Sequence, residues 1–578
     1  MARLIVEKNV PARMRDGTVL SADVYRLDDS ERRPVLLTRT PYNKSLPLLS
    51  YLPLDPLRAA EAGYVVVVQD SRGRFASEGT FYPFLNEAAD GYDTVEWAAA
   101  QPWSNGNVGM YGISYFGATQ WLAATTAPPH LKAIFPSLTA SDYHEGWTYQ
   151  GGAFALGFNL SWTMAILAPE TLMRQAKTNS QAAEDLGRVL AGVDQMHDWF
   201  RTRPLSAFPL FRLGAPYYYD WLSHADEDDY WNRWKIEAHY AHITVPAYNL
   251  GGWHDIFLGG TIRNFLGMCS QGKTREARDG QKLLIGPWAH TVPYSNVVGE
   301  VDFGLAASPL AADLDGLHLR WFDRWLKGVN NGISEEPPVR LFVMGANTWR
   351  NEHEWPLART RYVNYYLHSD GRANSLHGDG GLSPEKPAAE KPDVYLYDPR
   401  NPAPTRGGGL CCWAGSVPNG AYDQRPVEER PDVLVFSTPV LESDIEVTGP
   451  ITVTLFAASS APDTDFTAKL VDVHANGFAR NLTDGIIRAR YRESTRTAKL
   501  IEPGRVYEYT LDLWATSNVF KAGHRIRLEI SSANFPRFDA NPNTGRVCAG
   551  EAEVQPALQT VFHDTDRPSC VRLPIIPQ

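Results

Sequence analysis

Three side chains of complementary chemistry stand at the ends of apolar runs in this 578-residue sequence. Ser114 follows the apolar run 108–111, Asp255 ends the run "YNLGGWHD", and His290 ends the run "LLIGPWAH". A serine hydroxyl is a poor nucleophile at neutral pH, and it becomes effective when an imidazole accepts its proton and a carboxylate orients that imidazole. The three residue types therefore predict attack on a carbonyl by Ser114, with His290 as the base and Asp255 as its partner.

The surroundings of Ser114 favour a sharp turn between a strand and a helix. Gly112 and Gly117 flank it, and the helical pattern "YFGATQWLAA" begins at the next residue. The pattern glycine-x-serine-x-x-glycine is weak by itself, and a serine that caps the helix is the ordinary alternative. Asp255 has the same alternative as a cap for "IFLGGTIRNF", and His290 has the alternative of a solvated loop residue. The order serine, aspartate, histidine is the chain order of α/β-hydrolases, and it favours the catalytic interpretation.

A catalytic serine also needs hydrogen-bond donors for the negative oxygen that develops during attack. The backbone N–H of Tyr115, at the head of the predicted helix, is one such donor. The second must come from the loop after the run "LLTRT", which reads "PYNK" and carries no glycine-rich donor motif. The phenolic O–H of Tyr42 in this loop is the candidate, and packing beside Pro41 is its alternative.

The order of elements must bring these residues together. Short β-branched runs alternate with helical segments from residue 34, which predicts an α/β fold with a buried parallel sheet. The alternation stops near residue 145 and resumes at "VPAYNLGGWHD", and beyond about residue 350 short strands with turn signals predict a jelly-roll β-sandwich. The predicted segments are 1–144 and 241–350 for the α/β-hydrolase domain, 145–240 for an inserted helical cap, and 351–578 for the jelly-roll domain.

The composition limits the partners and the compartment. The net charge is −11 without a lysine- and arginine-rich block, which argues against nucleic acid and anionic membrane surfaces as partners. The residues at the start lack the apolar core and cleavage site of a signal peptide, so we expect no export signal there, and no stretch approaches the roughly 18 apolar residues that span a bilayer. Five scattered cysteines do not suit a disulfide framework, and their odd number leaves at least one unpaired, so we expect a cytoplasmic protein. We expect a small-molecule substrate, no metal and no cofactor, with a homodimer left open.

Longer motifs are spread over nearly the whole chain. They are "RTPYNK" (39–44), "QDSRGRFASEG" (69–79), "QPWSNGNVGMYGISYFG" (101–117), "GGWHDIF" (251–257), "IGPWAH" (285–290), "VRLFVMG" (339–345), "DTDFTAKLVDV" (463–473) and "TSNVF" (516–520). Together they resemble the CocE/NonD family of serine hydrolases, whose elbow glycine also stands one place late. The resemblance implies a triad of Ser114, Asp255 and His290, an oxyanion hole of the Tyr42 O–H and Tyr115 N–H, and hydrolysis of a carboxylic ester, or alternatively an amide, through an acyl-enzyme.

The resemblance also implies where the substrate lies. In the family the helical cap and the jelly roll close over the α/β domain, and the acyl group sits against aromatic residues. Trp147 and Trp162 of the cap, and Phe257 just after the aspartate, fall at these pocket positions, and core packing is the alternative for each. Such a pocket implies a bulky or aryl acyl group. Cys411 and Cys412 lie in "GGGLCCWAG", a region that reaches toward the pocket in the family, and their role is left open.

Related activities and other classes of function stand as alternatives. α-Amino-acid ester hydrolases carry acidic residues after the triad aspartate to hold the substrate ammonium, whereas Ile256, Phe257 and Leu258 stand there in this chain. X-Pro dipeptidyl-peptidases are similar but are usually longer, with an added N-terminal domain. Acyl transfer shares the triad chemistry until the second half-reaction. A non-catalytic ligand-binding module is the alternative from another class.

Two further motifs have structural interpretations. Glu237, His239 and His242 have a spacing that could ligate zinc on a helix, but a solvated boundary of the cap is the simpler interpretation. Arg72 and Arg74 in "DSRGR" suit anion binding, but they follow a predicted strand. We therefore expect them to brace neighbouring loops through charge-assisted hydrogen bonds.

Overall fold

The computed structural model describes residues 3–47, 54–291 and 294–577. In chain order the strands of its first part are β1 (Leu4–Arg13), β2 (Val19–Leu27), β3 (Arg33–Thr40), β4 (Val65–Asp70), β5 (Ser104–Ile113), β6 (Leu131–Ser137), β7 (Tyr149–Gln150), β8 (Ala153–Phe154), β9 (Tyr248–His254), β10 (Lys282–Ala289), β11 (Val297–Val298), β12 (Val301–Asp302), β13 (Val339–Val343) and β14 (Thr348–Glu352). Ten of these strands form one sheet in the order β1-β2-β4-β3-β5-β6-β9-β10-β13-β14. The pairs β7-β8 and β11-β12 are separate two-stranded ribbons.

The seven central strands of this sheet, from β4 to β13, run parallel. Strands β1, β2 and β14 pair antiparallel at the two edges, so the sheet is mixed rather than purely parallel. Strands β3, β4 and β10 are buried along their whole length. Continuous burial explains the four consecutive valines of β4, because both faces of a central parallel strand are covered.

Helices cover both faces of the sheet and form the cap. They are α1 (Pro56–Glu61), α2 (Glu87–Ala99), α3 (Tyr115–Thr125), α4 (Leu156–Trp162), α5 (Ala168–Gln175), α6 (Ser180–Val193), α7 (Met196–Trp199), α8 (Tyr217–Ser223), α9 (Asp229–Asn232), α10 (Leu258–Gln271), α11 (Arg275–Asp279) and α12 (Leu314–Leu326). Val35 and Leu37 of β3 pack with α2, α3 and the cap helices, whereas the intervening Leu36 packs with α1 and α12. This alternation follows from the period of two in a strand, which sends successive side chains to opposite faces.

The last third of the chain is a β domain. Its strands are β15 (Arg361–His368), β16 (Gly381–Ser383), β17 (Asp393–Tyr397), β18 (Leu434–Ser437), β19 (Ile445–Ser459), β20 (Asp465–Val473), β21 (Ala479–Arg488), β22 (Tyr507–Phe520), β23 (Arg525–Ser531), β24 (Ala557–Asp564), β25 (Arg567–Pro568) and β26 (Cys570–Ile576), with one short helix, α13 (Arg425–Glu428). Nearly all of the recorded pairings are antiparallel, and β16 with β18 is parallel. The predicted α/β fold is therefore followed by the predicted β domain.

The β domain is packed against both the sheet and the cap. Leu283 of β10 and Leu341 of β13 belong to the same apolar cluster as the interior of the β domain. In the cap, the Gly157 amide donates to the Pro536 carbonyl at 2.7 Å. None of the helices in the described ranges has the length and apolar character needed to cross a bilayer.

A buried ion cluster joins the β domain to the cap. Arg488 donates to both oxygens of Asp465 at 2.9 Å and to Asp539 at 2.8 Å, and all three side chains are at most 4% exposed. The same Asp539 carboxylate accepts from the Phe154 amide at 2.8 Å. Arg488 therefore neutralises two carboxylates that are hidden from water.

We expect Arg488→Met to lower the free energy of unfolding by about 3–5 kcal/mol, because it leaves buried carboxylates without a counter-charge. Urea denaturation followed by fluorescence measures this loss. The matched control is Arg400→Met, since Arg400 pairs with Asp398 at the surface and should leave stability nearly unchanged. Equal losses in the two variants would contradict the expectation.

Candidate active site

Ser114 occupies a strained turn between β5 and α3. Its φ is +60° and its ψ is −123°, a conformation that side-chain-bearing residues rarely adopt. A Cβ at Gly112 would lie 2.4 Å from the Cβ of Phe116, and one at Gly117 would lie 2.8 Å from Thr139. The two flanking glycines are therefore required by the close approach of strand, helix and neighbouring loop. The turn presents the Ser114 hydroxyl at the carboxyl edge of the sheet, where it can be reached by other groups.

The structure brings the three predicted residues into one line of hydrogen bonds. The Oγ of Ser114 lies 2.9 Å from Nε2 of His290, and Nδ1 of His290 lies 2.6 Å from Oδ2 of Asp255. The carboxylate accepts a hydrogen bond from the protonated Nδ1, so the unprotonated Nε2 presents its lone pair to the Ser114 hydroxyl. The His290 side chain is 6% exposed and that of Asp255 is fully buried. The Phe257 amide donates to Oδ1 of Asp255 at 2.6 Å, which fixes the carboxylate from its other side.

The sheet topology explains this meeting. Ser114 follows β5, Asp255 follows β9 and His290 follows β10. These strands run parallel within the central block, so their carboxyl ends share one edge. Residues 176 positions apart in the chain thereby come into hydrogen-bond contact.

Tyr42 lies in the loop after β3, the strand next to β5. Its hydroxyl accepts a hydrogen bond of 3.0 Å from the indole Nε1 of Trp162. An indole nitrogen only donates, so the phenolic hydrogen is left for another acceptor. Burial raises the pKa of Tyr42, so the phenol is protonated at neutral pH. Arg74 donates to the carbonyl of Pro41 at 2.9 Å and holds this loop in place.

Tyr115 is the first residue of α3, where the backbone N–H has no acceptor within the helix. Its side chain is directed away from that amide, into the interior. The Tyr115 hydroxyl donates to Oε1 of Glu87 at 3.0 Å and accepts from the Phe84 amide at 2.9 Å. Arg39 binds the other oxygen of Glu87 at 2.6 Å. The head of α3 is therefore anchored by a buried polar network.

The predicted aromatic residues form one cluster beside the imidazole. Trp147 and Phe257 stack with ring centroids 4.2 Å apart, and Trp162 lies 5.5 Å from Trp147. The Phe257 ring meets the His290 ring edge-on at 5.0 Å. All three aromatic residues are at most 1% exposed. Sequence reasoning missed Phe158, whose ring lies between 5.3 and 5.5 Å from those of Trp147, Trp162 and Phe257. Phe158 stands four residues before Trp162 in the same helix, so the two side chains share one face, and this spacing could have identified Phe158 from the sequence.

A loop of the β domain completes the enclosure. Cys411 and Cys412 form a disulfide, and Cys411 is 2% exposed in the same apolar cluster as Trp147, Trp162 and Phe257. The side-chain amide of Asn419 donates at 3.2 Å to the carbonyls of both His290 and Leu410. Asn419 thereby ties this loop to the strand end that carries the imidazole. Sequence reasoning missed Asn419, and no motif marked it.

The other two motifs are engaged in structural contacts. Arg72 donates to Asp90 and Asp16, and Arg74 donates to carbonyls of Pro41 and Leu167, so both brace loops as predicted.

Glu237 accepts hydrogen bonds from Arg263 at 2.7 Å and from Ser141 at 2.5 Å. Its carboxylate is thus committed away from the His239 and His242 rings, whose centroids lie 5.6 Å apart.

Comparisons with known proteins cover nearly the whole chain. A family profile described as X-Pro dipeptidyl-peptidase (S15 family) matches residues 16–292, and one described as X-Pro dipeptidyl-peptidase C-terminal non-catalytic domain matches residues 331–572. The chain is 41% identical over 579 residues to a cocaine esterase of Rhodococcus sp., covering 99% of this chain and 98% of that protein. It is 28% identical to a putative serine esterase of Mycobacterium tuberculosis, covering 92% of this chain and 90% of that protein.

Two solved structures are similar over 99% of this chain and 96% of their own. An aminopeptidase from a marine sediment archaeon, Thaumarchaeota archaeon, has a TM-score of 0.81 at 25% identity. An α-amino acid ester hydrolase has a TM-score of 0.78 at 26% identity. The similarity therefore includes the α/β part, the cap and the β domain together.

Proposed function

This chain belongs to the CocE/NonD family of serine hydrolases, and we propose that it is an esterase in which Ser114 is the nucleophile, His290 the general base and Asp255 the orienting carboxylate. The observation that carries the proposal is the unbroken line of hydrogen bonds from Asp255 through His290 to Ser114, at the edge of the sheet and beside a cluster of aromatic side chains. The distance of 2.9 Å between Ser114 Oγ and His290 Nε2 is within the range that proton transfer requires.

In the first half-reaction His290 takes the proton of Ser114 while Oγ bonds to the carbonyl carbon of the substrate. Asp255 stabilises the imidazolium that forms, and burial strengthens this attraction because little water screens it. His290 then gives the proton to the leaving alkoxide as the C–O bond breaks. The product of this step is an acyl group on Ser114, and water releases it in a second attack assisted by the same imidazole.

The negative carbonyl oxygen needs two donors, and we assign them to the Tyr42 O–H and the Tyr115 N–H. Two observations support the assignment: the Tyr42 hydroxyl is in hydrogen-bond contact with Ser114, and the amide at the head of α3 has no acceptor within the helix. Trp162 has a second part in this scheme, since its indole donates to the Tyr42 oxygen and holds the phenol in one orientation. The cap thereby helps to position an oxyanion donor of the α/β domain.

We propose that an apolar, bulky or aryl acyl group packs against the aromatic cluster of Trp147, Trp162, Phe158 and Phe257. These rings offer faces and edges for offset or edge-on stacking against a flat acyl group. The named substrate of the Rhodococcus relative is an ester, which agrees with this choice. We therefore propose aryl or bulky aliphatic carboxylic esters of small alcohols or phenols as the substrate class.

Recognition of a free α-amino group, as in an amino-acid ester or an X-Pro peptide, is the second candidate and is less well supported. Ile256, Phe257 and Leu258 after the triad aspartate are apolar and buried. Glu87 lies beneath Tyr115, but its two oxygens already bind the Tyr115 hydroxyl and Arg39. A substrate ammonium would therefore have to break an existing buried pair, which costs free energy.

We also propose that the protein works in the cytoplasm. Cys269, Cys548 and Cys570 are free, as in proteins of reducing compartments. The disulfide of Cys411 and Cys412 joins neighbouring residues and does not link distant segments of the chain.

Ser114→Ala should lower kcat for p-nitrophenyl acetate by roughly 10⁶-fold and remove the initial burst of p-nitrophenol, because no acyl-enzyme can form. Stopped-flow absorbance measures both. Ser223→Ala, at the end of α8, is the matched control and should keep the burst. A burst that persists in the Ser114 variant would sink the proposal and favour a binding module or a different nucleophile.

Tyr42→Phe should lower kcat by about 10²- to 10³-fold with little change in KM, because the lost donor serves the transition state more than the bound ester. Steady-state kinetics with p-nitrophenyl acetate separates the two constants. Tyr362→Phe, on an exposed strand of the β domain, should behave as wild type. An effect confined to KM would mean that Tyr42 only binds substrate.

Phe257→Ala should lower the ratio of kcat/KM for p-nitrophenyl benzoate to that for p-nitrophenyl acetate by about 10- to 100-fold, because the aryl acyl group loses its stacking partner. The ratio cancels any common effect on His290, which the Phe257 ring also touches. Phe562→Ala in β24 is the control that should leave the ratio unchanged. An unchanged ratio in the Phe257 variant would place the acyl group elsewhere.

A further inference from the structure

A second cluster of ligand-type side chains lies in the β domain, outside the active site. Asp472 is near the end of β20, His474 stands in the turn that leads to β21, and His524 immediately precedes β23. One nitrogen of each histidine and a carboxylate oxygen of Asp472 all lie within 4.8 Å of one another. The two imidazole rings lie face to face with centroids 4.4 Å apart. Two turns of the β domain therefore present three ligand atoms to one point.

The carboxylate of this cluster is held in a fixed orientation. Its Oδ2 accepts from Arg480 at 2.9 Å, and its Oδ1 faces Nδ1 of His524 at 2.7 Å. Arg480 is itself held by Asn518 at 2.5 Å. A carboxylate with one oxygen bound by a guanidinium and the other directed at the site is typical of metal ligands, whose second oxygen is hydrogen-bonded.

His474 supplies the observation that points to a ligand. Its Nε2 is buried and has no hydrogen-bond partner among the described residues, and it lies 3.8 Å from Oδ2 of Asp472. A buried ring nitrogen without a partner is costly unless something binds it. The His474 and His524 side chains are 30% and 16% exposed, so an ion can enter from solvent.

We propose that Asp472, His474 and His524 bind a Zn²⁺ ion, with water as the fourth ligand. Two imidazoles and one carboxylate form a donor set that Zn²⁺ accepts in tetrahedral geometry. Ligands about 2.0–2.2 Å from zinc stand roughly 3.5 Å apart. Separations of up to 4.8 Å must therefore close by about 1 Å, and the contact of 2.7 Å between Asp472 Oδ1 and His524 Nδ1 must open by about 1 Å, through side-chain rotations. His524 binds through Nδ1 once its proton has moved to Nε2, a change of tautomer that leaves the imidazole neutral.

The ion would tie together parts of the β domain that face the hydrolase sheet. It joins the β20–β21 turn to the segment before β23, which are 52 residues apart at their ligands. The ion's ligand Asp472 binds Arg480, and Arg480 binds Asn518. Asn518 in turn forms a backbone bridge with Met344, which follows β13 of the hydrolase sheet. We therefore expect the ion to stabilise the interface between the two domains and to leave the triad untouched.

The test is a titration of the full-length protein with Zn²⁺ after treatment with EDTA, followed by calorimetry and by thermal unfolding. We expect one ion per chain and a rise in Tm with Zn²⁺ concentration. His474→Ala and His524→Ala should each weaken Zn²⁺ binding by more than about 10-fold, the least that loss of even an outer partner typically costs. His474→Ala should keep the Tm of the metal-free protein, and both variants should keep the esterase activity of the wild type, which separates lost binding from misfolding.

The double variant His239→Ala/His242→Ala removes a histidine pair of the cap boundary that also has a metal-ligand spacing, and it is the matched control. It should bind Zn²⁺ as the wild type does. Binding that is lost in this control but kept in the His474 variant would overturn the assignment. Absence of Zn²⁺ binding by the wild type would overturn the site itself.

Discussion

The hydrogen bond of 2.9 Å between the Ser114 hydroxyl and the His290 imidazole requires that the ends of β5 and β10 be held in register across two intervening strands, β6 and β9. Parallel pairing supplies the register, because it brings all the carboxyl ends to one edge of the sheet. The strained backbone of Ser114 supplies the direction, and the glycines around it make that backbone possible. If either condition failed, the three side chains would be present but would not act together.

Burial then determines how strongly the Asp255 carboxylate interacts with the His290 imidazole. The Asp255 carboxylate is enclosed, accepts from the Phe257 amide and faces the imidazole, so its charge acts at short range in a poorly screened environment. The enclosure is built by all three parts of the chain. The cap contributes Trp147 and Trp162, and the β domain contributes the loop that Asn419 fastens to the carbonyl of His290. A site of this kind depends on the docking of the domains as much as on the sheet.

Much of this could be predicted from sequence, for identifiable reasons. Strand ends are recognisable from apolar runs, and residues placed directly after such runs meet at a known edge, which is why Ser114, Asp255 and His290 could be named. Residues that reach the site from another domain carry no such local signal. Asn419 is separated from His290 by 129 residues, and Asp472 and His524, which meet in the β domain, are 52 residues apart. The sequence analysis also did not predict the antiparallel strands at the edges of the sheet. Edge and central strands have similar amino-acid sequences and differ mainly in which strands lie beside them.

The central claim is that Ser114 alone is activated for covalent attack, and the most direct measurement maps where a covalent probe bonds. A fluorophosphonate should phosphonylate the protein once, and peptide mass spectrometry should find the adduct on the peptide that contains Ser114, with labelling lost in His290→Ala because the hydroxyl is then no longer activated. An adduct on any other residue, or undiminished labelling without the imidazole, would contradict the account.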